Sequence, residues 1–364
     1  MFSEENKFMK RALELAEMGR GFTKTNPLVG AVVVKDNKVI AEGYHHRYGD
    51  NHAEVDALNK VNGLAEGATM YVTLEPCSHY GKTPPCADRI IKEKLKRVVV
   101  AIRDPDERVS GRGIEILKRE GIEVEIGMLE DEAKFQNRVF LLNKSMKRPF
   151  ITLKFATTLD GKIATNSGES KWITNSTSRQ DSHILRSKVD GILVGKNTAI
   201  KDNPLLTNRS GKGYNPIRIL LDSELEIDSN YNIYNFEAKT IAFTNSSDLE
   251  KYKNLTDKGV DIVRISRDGD GLNLNEICEE LLKRDIAHIL VEGGSKIHSS
   301  FIRSGLVDEI YHYIAPKLIG GGKSVDDGVG ILNLSDSLNF NIISTKNLDG
   351  DILIHGVRDV YGDC

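Results

Sequence analysis

The sequence has few cysteines, four in 364 residues, and it lacks any long apolar run. No stretch reaches roughly 18 uninterrupted apolar residues, and the start, "MFSEENKFMKRALELAEMG", has no apolar region of the secretory type. We therefore expect a cytoplasmic protein without a membrane segment. In a reducing compartment, two cysteines close in sequence are more often metal ligands or catalytic groups than a disulfide.

Strong charge of one sign is also missing. The formal net charge is −3, so the chain as a whole presents no large basic surface for nucleic acid. With 39% hydrophobic and 28% charged residues, the composition is that of an ordinary globular protein. The length favours two domains, and neither an internal repeat nor a low-complexity linker is visible.

Alternating helical and strand patterns divide the chain. In the first part, two β-rich runs flank Asp36-Asn37-Lys38, which is typical of a hairpin. The stretch "EDEAKFQNRVFLLNKSMK" predicts one long helix ending before Pro149. A new series of strands then begins with "RPFITLKFATTLDGKIAT". We predict a layered α/β domain over 1–146 and a second α/β domain over 147–364.

Four residues of the first part have the spacing of a catalytic zinc site. His52 and Glu54 stand in "NHAEVDAL", and Cys77 and Cys86 in "TLEPCSHYGKTPPCADRI". Catalytic zinc has three protein ligands and one open position, and zinc deaminases pair H-x-E with P-C-x-x-C. In that signature the glutamate moves protons and binds no metal. The second cysteine departs from it, because it follows the first by nine positions instead of three.

Two other interpretations of these residues remain open at this point. Cys77 and Cys86 could be a buried core pair beside a histidine on a helix face. Alternatively, the site could be a closed structural zinc site with His79 as the fourth ligand, which leaves Glu54 without an evident task. A predicted helix start at Cys86, after two prolines, favours the thiolate that binds zinc.

The sequence resembles the bifunctional riboflavin-biosynthesis deaminase/reductase family nearly from end to end. The widened "CSHYGKTPPC" loop is that family's own form. Further stretches carry the resemblance: "TNPLVGAVVV", "GYHHRYGDNHAEVDAL", "TLKFATTLDGKIAT", "DGILVGKNTAIKDNPLLTNR" and "ILVEGGSKIHSSFI". The resemblance implies a cytidine-deaminase-like three-layer α/β/α domain followed by a dihydrofolate-reductase-like α/β domain. It also implies one Zn²⁺ for the first domain and NADPH for the second.

The implied reactions act on a small phosphoribosylaminopyrimidine. The first domain removes an amino group from the 2,5-diamino-pyrimidinone, with His52, Cys77 and Cys86 binding zinc and Glu54 as the catalytic proton carrier. The second reduces the ribosyl group to give 5-amino-6-(5-phosphoribitylamino)uracil. By comparison with the family, Asn26 and His45 are expected to contact the pyrimidine. The resemblance also implies that His79, Lys82 and Thr83 of the "SHYGKT" loop contact the substrate phosphate. "DPDERVSGRG" departs from the family, which commonly has Asn-Pro where Asp106 and Glu107 stand.

The reductase positions are likewise implied by the resemblance. Those expected to contact NADPH are Ala156, Trp172, Thr198, Asp202, Ser223, Gly294, Ser295, Lys296, Ile297, His298, Ser299 and Ser300. Those expected to contact the substrate are Lys154, Ser170, Arg186, Leu206, Arg209 and Glu292. Guanidinium groups such as Arg186 and Arg209 suit a phosphate. From the residues alone, "VEGGSKIHSS" is a strand, a double glycine and a helix start able to bind phosphate, without the G-x-G-x-x-G of a Rossmann site.

Several residues keep a second interpretation. A strand lysine such as Lys154 is usually solvent-facing, and the single tryptophan, Trp172, could simply pack in a core. Asp202, Glu292 and Lys154 are all candidate proton donors for the reduction. Cys278 and Cys364 have no evident role beyond packing or a free thiol.

Three functional hypotheses can be compared. The first is the bifunctional enzyme of riboflavin synthesis, expected by resemblance to form a homo-oligomer. The second is a nucleoside or tRNA base deaminase fused to an unrelated reductase, which calls for a basic, aromatic-lined groove near His52. The third is a non-catalytic zinc-binding module, in which Glu54 is replaceable. No nucleic acid or membrane partner is expected.

Overall fold

A computed structural model describes residues 4–61, 63–78, 84–105, 110–211, 213–326, 328, 330–331 and 333–358. The chain divides into two units, Met1–Lys147 and Arg148–Cys364, each with its own sheet. Within the described residues, no helix combines the length and the apolar character needed to cross a membrane.

The first unit alternates helices with the strands of one five-stranded sheet. Its elements are α1 (Asn6–Glu17), β1 (Gly30–Lys35), β2 (Lys38–Tyr44), α2 (Ala53–Lys60), β3 (Thr69–Leu74), α3 (Cys86–Lys92), β4 (Arg97–Ile102), α4 (Arg112–Arg119), β5 (Glu123–Ile126), α5 (Glu130–Gln136) and α6 (Arg138–Met146). The strand order is β2-β1-β3-β4-β5. β1 pairs antiparallel with β2 and β3, whereas β3, β4 and β5 run parallel.

The predicted hairpin is confirmed, and its turn fixes the start of the sheet. Asp36 and Asn37 join β1 to β2 with φ angles of 50° and 60°. These are the positive values that a two-residue hairpin turn requires. β2 in turn lies close against α2, because a Cβ at Gly43 would lie 2.3 Å from the Ala57 nitrogen. Glycine at this position therefore lets the helix that follows His52 approach the sheet.

The prediction of one long helix before Pro149 is wrong. The structure has two helices, α5 and α6, which meet at Asn137. Asn137 has φ −95° and ψ 12°, outside the α-helical values. Its buried side-chain amide bonds to the backbone of Leu28, 109 positions away in sequence. Helical periodicity continues across the break, so the sequence pattern alone does not reveal it.

The second unit is built on a nine-stranded sheet. Its elements are β6 (Phe150–Thr158), β7 (Lys162–Ala164), α7 (Ser176–Arg186), β8 (Gly191–Gly195), α8 (Lys196–Asp202), β9 (Ile217–Leu221), β10 (Thr240–Thr244), α9 (Leu249–Thr256), β11 (Asp261–Arg264), β12 (Arg267–Asp268), β13 (Gly271–Leu272), α10 (Leu274–Lys283), β14 (His288–Val291), α11 (Ser295–Arg303), β15 (Glu309–Ala315), β16 (Lys323–Ser324), β17 (Asn341–Leu348) and β18 (Asp351–Val357). The large sheet has the order β11-β10-β9-β8-β14-β6-β15-β18-β17.

From β11 to β15 this sheet is parallel, and the last two strands are antiparallel. Strands such as β8 and β14 are buried along their whole length, as expected for parallel strands covered on both faces. Cys278 lies in the core of this unit, which fits its predicted packing role. The carboxyl ends of the parallel strands form one edge, where ligands of open α/β sheets usually bind.

Candidate functional sites

Three side chains of the first unit converge with metal-ligand geometry. The donor atoms of His52, Cys77 and Cys86 all lie within 4.8 Å of one another. His52 Nδ1 is 3.2 Å from Cys86 Sγ and 3.5 Å from Cys77 Sγ. Ordinary zinc–nitrogen and zinc–sulfur bond lengths at tetrahedral angles give nitrogen–sulfur separations of about 3.5 Å. The three residues therefore fit the ligand set of a catalytic zinc.

Helix starts and a strand end position these ligands. His52 is the residue before α2, with extended backbone, and Cys86 is the first residue of α3. Cys77 follows β3 by three residues. Two backbone N–H groups of α3 hold it, because Cys86 donates to Cys77 Sγ at 3.3 Å and Ala87 donates to the Cys77 carbonyl at 3.2 Å. The helix start thus supplies both a ligand and the groups that orient another ligand.

The electrostatics of the two thiols favour a cation. Contact with the Cys86 thiol, followed by the His52 ring, lowers the pKa of Cys77 to about 4. The same contact, together with burial, raises the pKa of Cys86 well above its usual range. Two adjacent thiolates repel each other, and a divalent cation between them removes that cost. The donor chemistry therefore fits Zn²⁺.

Glu54 lies beside this cluster and is 3% exposed. Burial raises its pKa to about 7, although the nearby His52 opposes the shift. The charge of Cys77 and a hydrogen bond with Cys86 also act on it, which places the carboxyl group close to both thiols. A carboxyl group with a pKa near neutrality can accept and return a proton at physiological pH.

Asn26 and His45, the two predicted pyrimidine contacts, are neighbours. His45 Nδ1 lies 3.0 Å from the carbonyl of Asn51, which can only accept, so Nδ1 carries the proton. Its Nε2 therefore accepts from Asn26 Nδ2 at 3.0 Å. Burial lowers the pKa of His45, which keeps the ring neutral. Because Asn51 precedes His52, this chain of contacts joins the "TNP" turn to the metal cluster.

Some predicted positions of both units lie outside the described residues: His79, Lys82, Thr83, Asp106, Glu107 and Cys364. The suggested fourth ligand and the suggested phosphate loop therefore stay predictions.

In the second unit, three predicted substrate residues lie together. β14 pairs with β6 so that Val291 is opposite Leu153, and the next residues along the two strands are Glu292 and Lys154. Arg186, the last residue of α7, donates to both carboxylate oxygens of Glu292 at 2.9 Å. Burial opposes ionisation of Glu292, yet Arg186 and Lys154 lower its pKa to about 2.

Lys154 is not the solvent-facing strand residue that its pattern suggests. Its Nζ lies 5.4 Å from the centre of the Tyr313 ring. Burial lowers the pKa of Lys154, and the charge of Glu292 partly offsets this shift. Lys154, Arg186 and Glu292 thus form a charged group at the carboxyl edge of the sheet.

Four predicted NADPH contacts follow or end neighbouring parallel strands. Thr198 lies in α8 after β8, Ser223 follows β9, Gly294 follows β14, and Ala156 lies in the last part of β6. Thr198 and Gly294 are adjacent, since a Cβ at Gly294 would lie 3.6 Å from Thr198 Oγ1. Both α8 and α11 begin at this edge, and the N–H groups at the start of a helix can bind a phosphate.

The remaining predicted contacts lie in different settings. Trp172 is 64% exposed, so it does not pack in a core, and the Arg179 guanidinium lies 4.4 Å from its ring centre. Asp202 pairs with Lys171 at 3.8 Å.

Within Gly294–Ser300, His298 and Ser299 are buried, whereas Lys296 is exposed. Leu206 is buried with a φ of 53°. Ser170 is partly exposed, and Arg209 is exposed.

The sequence analysis missed residues that surround these groups. His183 lies one turn before Arg186 on α7, and burial, followed by the charges of Arg186 and Arg209, lowers its pKa to about 4. The i, i+3 spacing from Arg186 was the available signal. Asn137 and Glu75 were also missed. Glu75 is a charged residue directly after the buried strand β3, and a charge at such a position indicates a specific partner.

Two family models match the chain. Residues 2–102 match the cytidine and deoxycytidylate deaminase zinc-binding region, and residues 149–354 match the RibD C-terminal domain. Together with the ligand cluster, these matches define a zinc-dependent deaminase joined to a reductase domain.

Relatives match over nearly the whole chain. The chain is 46% identical to the riboflavin biosynthesis protein RibD of Aquifex aeolicus, over 96% of this chain and 97% of the relative. It is 36% identical to RibD of Escherichia coli, over 97% of this chain and 99% of that one. The chain belongs to the RibD family of riboflavin-biosynthesis deaminase/reductases.

Solved structures support the same family assignment. A diaminohydroxyphosphoribosylaminopyrimidine deaminase/5-amino-6-(5-phosphoribosylamino)uracil reductase of Thermotoga maritima superposes with a TM-score of 0.87 at 39% identity, covering 97% of this chain and 98% of that one. RibD of Acinetobacter baumannii superposes with a TM-score of 0.88 at 38% identity, with the same coverage. The predicted fold class and the predicted bifunctional activity are therefore confirmed.

Proposed function

We propose that this enzyme deaminates 2,5-diamino-6-(5-phosphoribosylamino)pyrimidin-4-one in residues 1–146. It then reduces the ribosyl group with NADPH in residues 147–364. The observation that carries the first step is the convergence of His52, Cys77 and Cys86 beside the buried Glu54. The full-length relatives support the order of the two activities along the chain.

In the deamination, His52, Cys77 and Cys86 would hold the zinc ion. When bound, zinc lowers the pKa of a coordinated water toward neutrality. Glu54 would carry two protons in turn: one from the attacking water to the ring nitrogen, and then one from the resulting hydroxyl to the amino group, which leaves as ammonia. Its pKa near 7 suits both transfers, and positive charge at the cluster shifts the group toward the carboxylate that begins the cycle. Asn26 and the neutral His45 hold the pyrimidine.

In the reduction, NADPH supplies the hydride, and the chain supplies orientation and protons. Thr198, Ser223 and the Gly294–Ser300 segment bind the cofactor, with Ala156, Trp172 and Asp202 completing its site. Arg186 and Arg209 hold the substrate phosphate, assisted by Ser170 and Leu206. Of the three candidate proton donors, Lys154 and Glu292 lie together, whereas Asp202 pairs with Lys171. Because Glu292 is held ionised, Lys154 is the better donor.

We also propose a cytoplasmic enzyme that acts as a homo-oligomer on a small molecule. The thiols Cys77, Cys86 and Cys278 are free, as a reducing compartment requires. β17, at the edge of the large sheet, exposes Ile342 and Ile343 at 56% and 46%, and apolar groups of this kind are common where subunits meet.

The experiment compares wild type with Glu54→Gln in three measurements. Zinc content is determined on both proteins, ammonia release is followed with the diaminopyrimidine, and NADPH oxidation is followed with separately prepared deaminated product. Glutamine keeps the size of the side chain but cannot accept the proton. We expect full zinc content and full NADPH oxidation, with ammonia release lower by about 10²–10⁴-fold.

Glu42→Gln is the matched control, since Glu42 pairs with Arg11 on the surface of the same unit. It should leave all three measurements unchanged. Ammonia release that survives in Glu54→Gln would mean that the zinc is structural, or that another group moves the proton. Loss of zinc together with activity would mean that Glu54 acts on the metal site instead of on the reaction.

A further inference from the structure

The Glu75 side chain forms an unusual number of hydrogen bonds to the backbone. Glu75 follows β3 directly, stands two residues before Cys77 and is 3% exposed. Its two oxygens accept four backbone N–H groups: Asp104 at 3.3 Å and Gly111 at 3.0 Å on Oε2, and Gly113 at 3.1 Å and Ile114 at 3.4 Å on Oε1. A buried carboxylate is thus satisfied by backbone donors.

Three of these donors belong to the start of α4. The residue before that helix is Gly111, whose φ of 77° is left-handed and which has no side chain to cap the helix. The first N–H groups of a helix need an acceptor from outside the helix. Glu75 provides that acceptor from a distant part of the chain, and its negative charge suits the positive end of the helix dipole.

The start of α4 also lies against the peptide that precedes Cys77. A Cβ at Gly113 would lie 2.0 Å from the Pro76 carbonyl oxygen, so only glycine permits this contact. On the other side, the N–H groups of Cys86 and Ala87 bond to Cys77. The Cys77 backbone is therefore enclosed between the start of α3 and the start of α4.

We propose that Glu75 is a positioning residue of the zinc site. By holding the start of α4 against Pro76, its carboxylate fixes the backbone from which Cys77 reaches the metal. The inference rests on the proposed function only in taking Cys77 as a zinc ligand. Groups behind metal ligands commonly affect metal affinity by 10–100-fold, and the carboxylate of Glu75 acts through the backbone of its own turn.

The test uses Glu75→Gln in the full-length chain. Glutamine keeps the shape but places an NH₂ group against two of the four N–H donors, which pushes the start of α4 away. Zinc affinity is measured by competition with a chromogenic chelator, and the ligand geometry by the visible absorption of the protein loaded with Co²⁺. We expect zinc affinity lower by about 10–100-fold and a changed Co²⁺ spectrum. NADPH oxidation should stay at the wild-type rate.

Gly113→Ala is the second variant, because it leaves Glu75 intact and displaces Pro76 by steric contact alone. It should lower zinc affinity in the same direction, and it keeps the inference testable if Glu75→Gln does not fold. The control is Phe8→Ala, which removes a buried ring from the core of the same unit, where it packs 5.2 Å from the centre of the Tyr71 ring. This variant should lose stability and retain wild-type zinc affinity.

The outcomes separate the inference from the function on which it rests. Unchanged zinc affinity in Glu75→Gln or Gly113→Ala, with zinc bound normally by wild type, overturns the positioning role alone and leaves Glu75 as a helix cap. An equal loss of affinity in Phe8→Ala also overturns it, because any destabilisation would then have the same effect. A wild-type protein that binds no zinc overturns both the zinc assignment and this inference.

Discussion

The side chain of Asn137 binds both backbone groups of Leu28. Asn137 Oδ1 accepts the Leu28 N–H at 2.8 Å, and Asn137 Nδ2 donates to the Leu28 carbonyl at 2.9 Å. Leu28 follows the Asn26-Pro27 turn, so this amide fixes the turn that presents Asn26 to His45. The junction of α5 and α6 is therefore connected to the proposed pyrimidine pocket.

Asn137→Ala should destabilise the first unit and impair deamination. Both Leu28 groups are buried, and leaving them without partners costs about 2–4 kcal/mol in the free energy of unfolding. Displacement of Asn26 should lower kcat/KM for ammonia release by about tenfold or more. Urea unfolding and the ammonia assay measure the two effects.

Gln136→Ala is the neighbouring control. Its side-chain amide donates to the Leu13 carbonyl at 2.9 Å and to Glu17 at 3.2 Å, both in α1. It should retain wild-type kcat/KM for ammonia release. If Asn137→Ala also retains full kcat/KM, the amide has no part in positioning Asn26.

Cys77→Ser should abolish zinc binding and deamination while leaving reduction intact. A serine hydroxyl is a poor zinc ligand at neutral pH, because the metal prefers the thiolate. Zinc content, ammonia release and NADPH oxidation are measured on the same preparation. Cys278→Ala, a change of a buried thiol in the core of the second unit, should retain zinc and ammonia release. Retained zinc in Cys77→Ser would require a different ligand set.

Arg186→Lys should impair the reductase alone. A lysine cannot bind both oxygens of Glu292 as the guanidinium does, and the buried carboxylate is left partly unpaired. We expect KM for the deaminated substrate to rise about tenfold or more, with ammonia release unchanged. Arg284→Lys, at a partly exposed ion pair with Glu280 and Asp261, is the control and should leave KM unchanged. An unchanged KM in Arg186→Lys would remove Arg186 from the phosphate site.

His312 should make the stability of the second unit depend on pH. Burial lowers its pKa to about 4, against an ordinary value of about 6.5 when unfolded, and its Nε2 lies 2.8 Å from Thr157 Oγ1. The unfolded state therefore binds more protons between these values. Stability is full above about pH 6.5 and falls by about 1–3 kcal/mol as the pH drops toward 4.

Denaturant unfolding of the second unit between pH 4 and 7 measures this dependence. His312→Gln cannot be protonated, so its unfolding free energy should change less over the same range. Equal pH dependence in the variant and in wild type would assign the effect to other groups.

The sequence predicted the parts of the fold that depend on local pattern. Short-range signals predicted the turn at Asp36 and Asn37, the helix start at Cys86 and the four-residue zinc signature. The signature was decisive because a histidine, a glutamate and two cysteines rarely occur in that order by chance. The packing role of Cys278 followed from a buried environment that any thiol accepts.

What the sequence did not predict depends on contacts between distant segments. Asn137 interrupts a helix while binding Leu28, and no local pattern distinguishes it from a helical asparagine. The exposure of Trp172 and the enclosure of Lys154 are set by neighbours from other strands and helices. Glu75 was passed over because its partners lie some 30 positions or more further along the chain.

The order of these groups along the chain matters during synthesis on the ribosome. His52, Cys77 and Cys86 are all translated before Gly111, Gly113 and Ile114, the donors that Glu75 holds. At synthesis rates of about 5–20 residues per second, the interval between Cys86 and Ile114 is a few seconds. During that interval a nascent chain has its complete set of metal donors but not the helix that stiffens one of them. Metal capture at this stage would meet a looser, more exchangeable site than the finished protein offers.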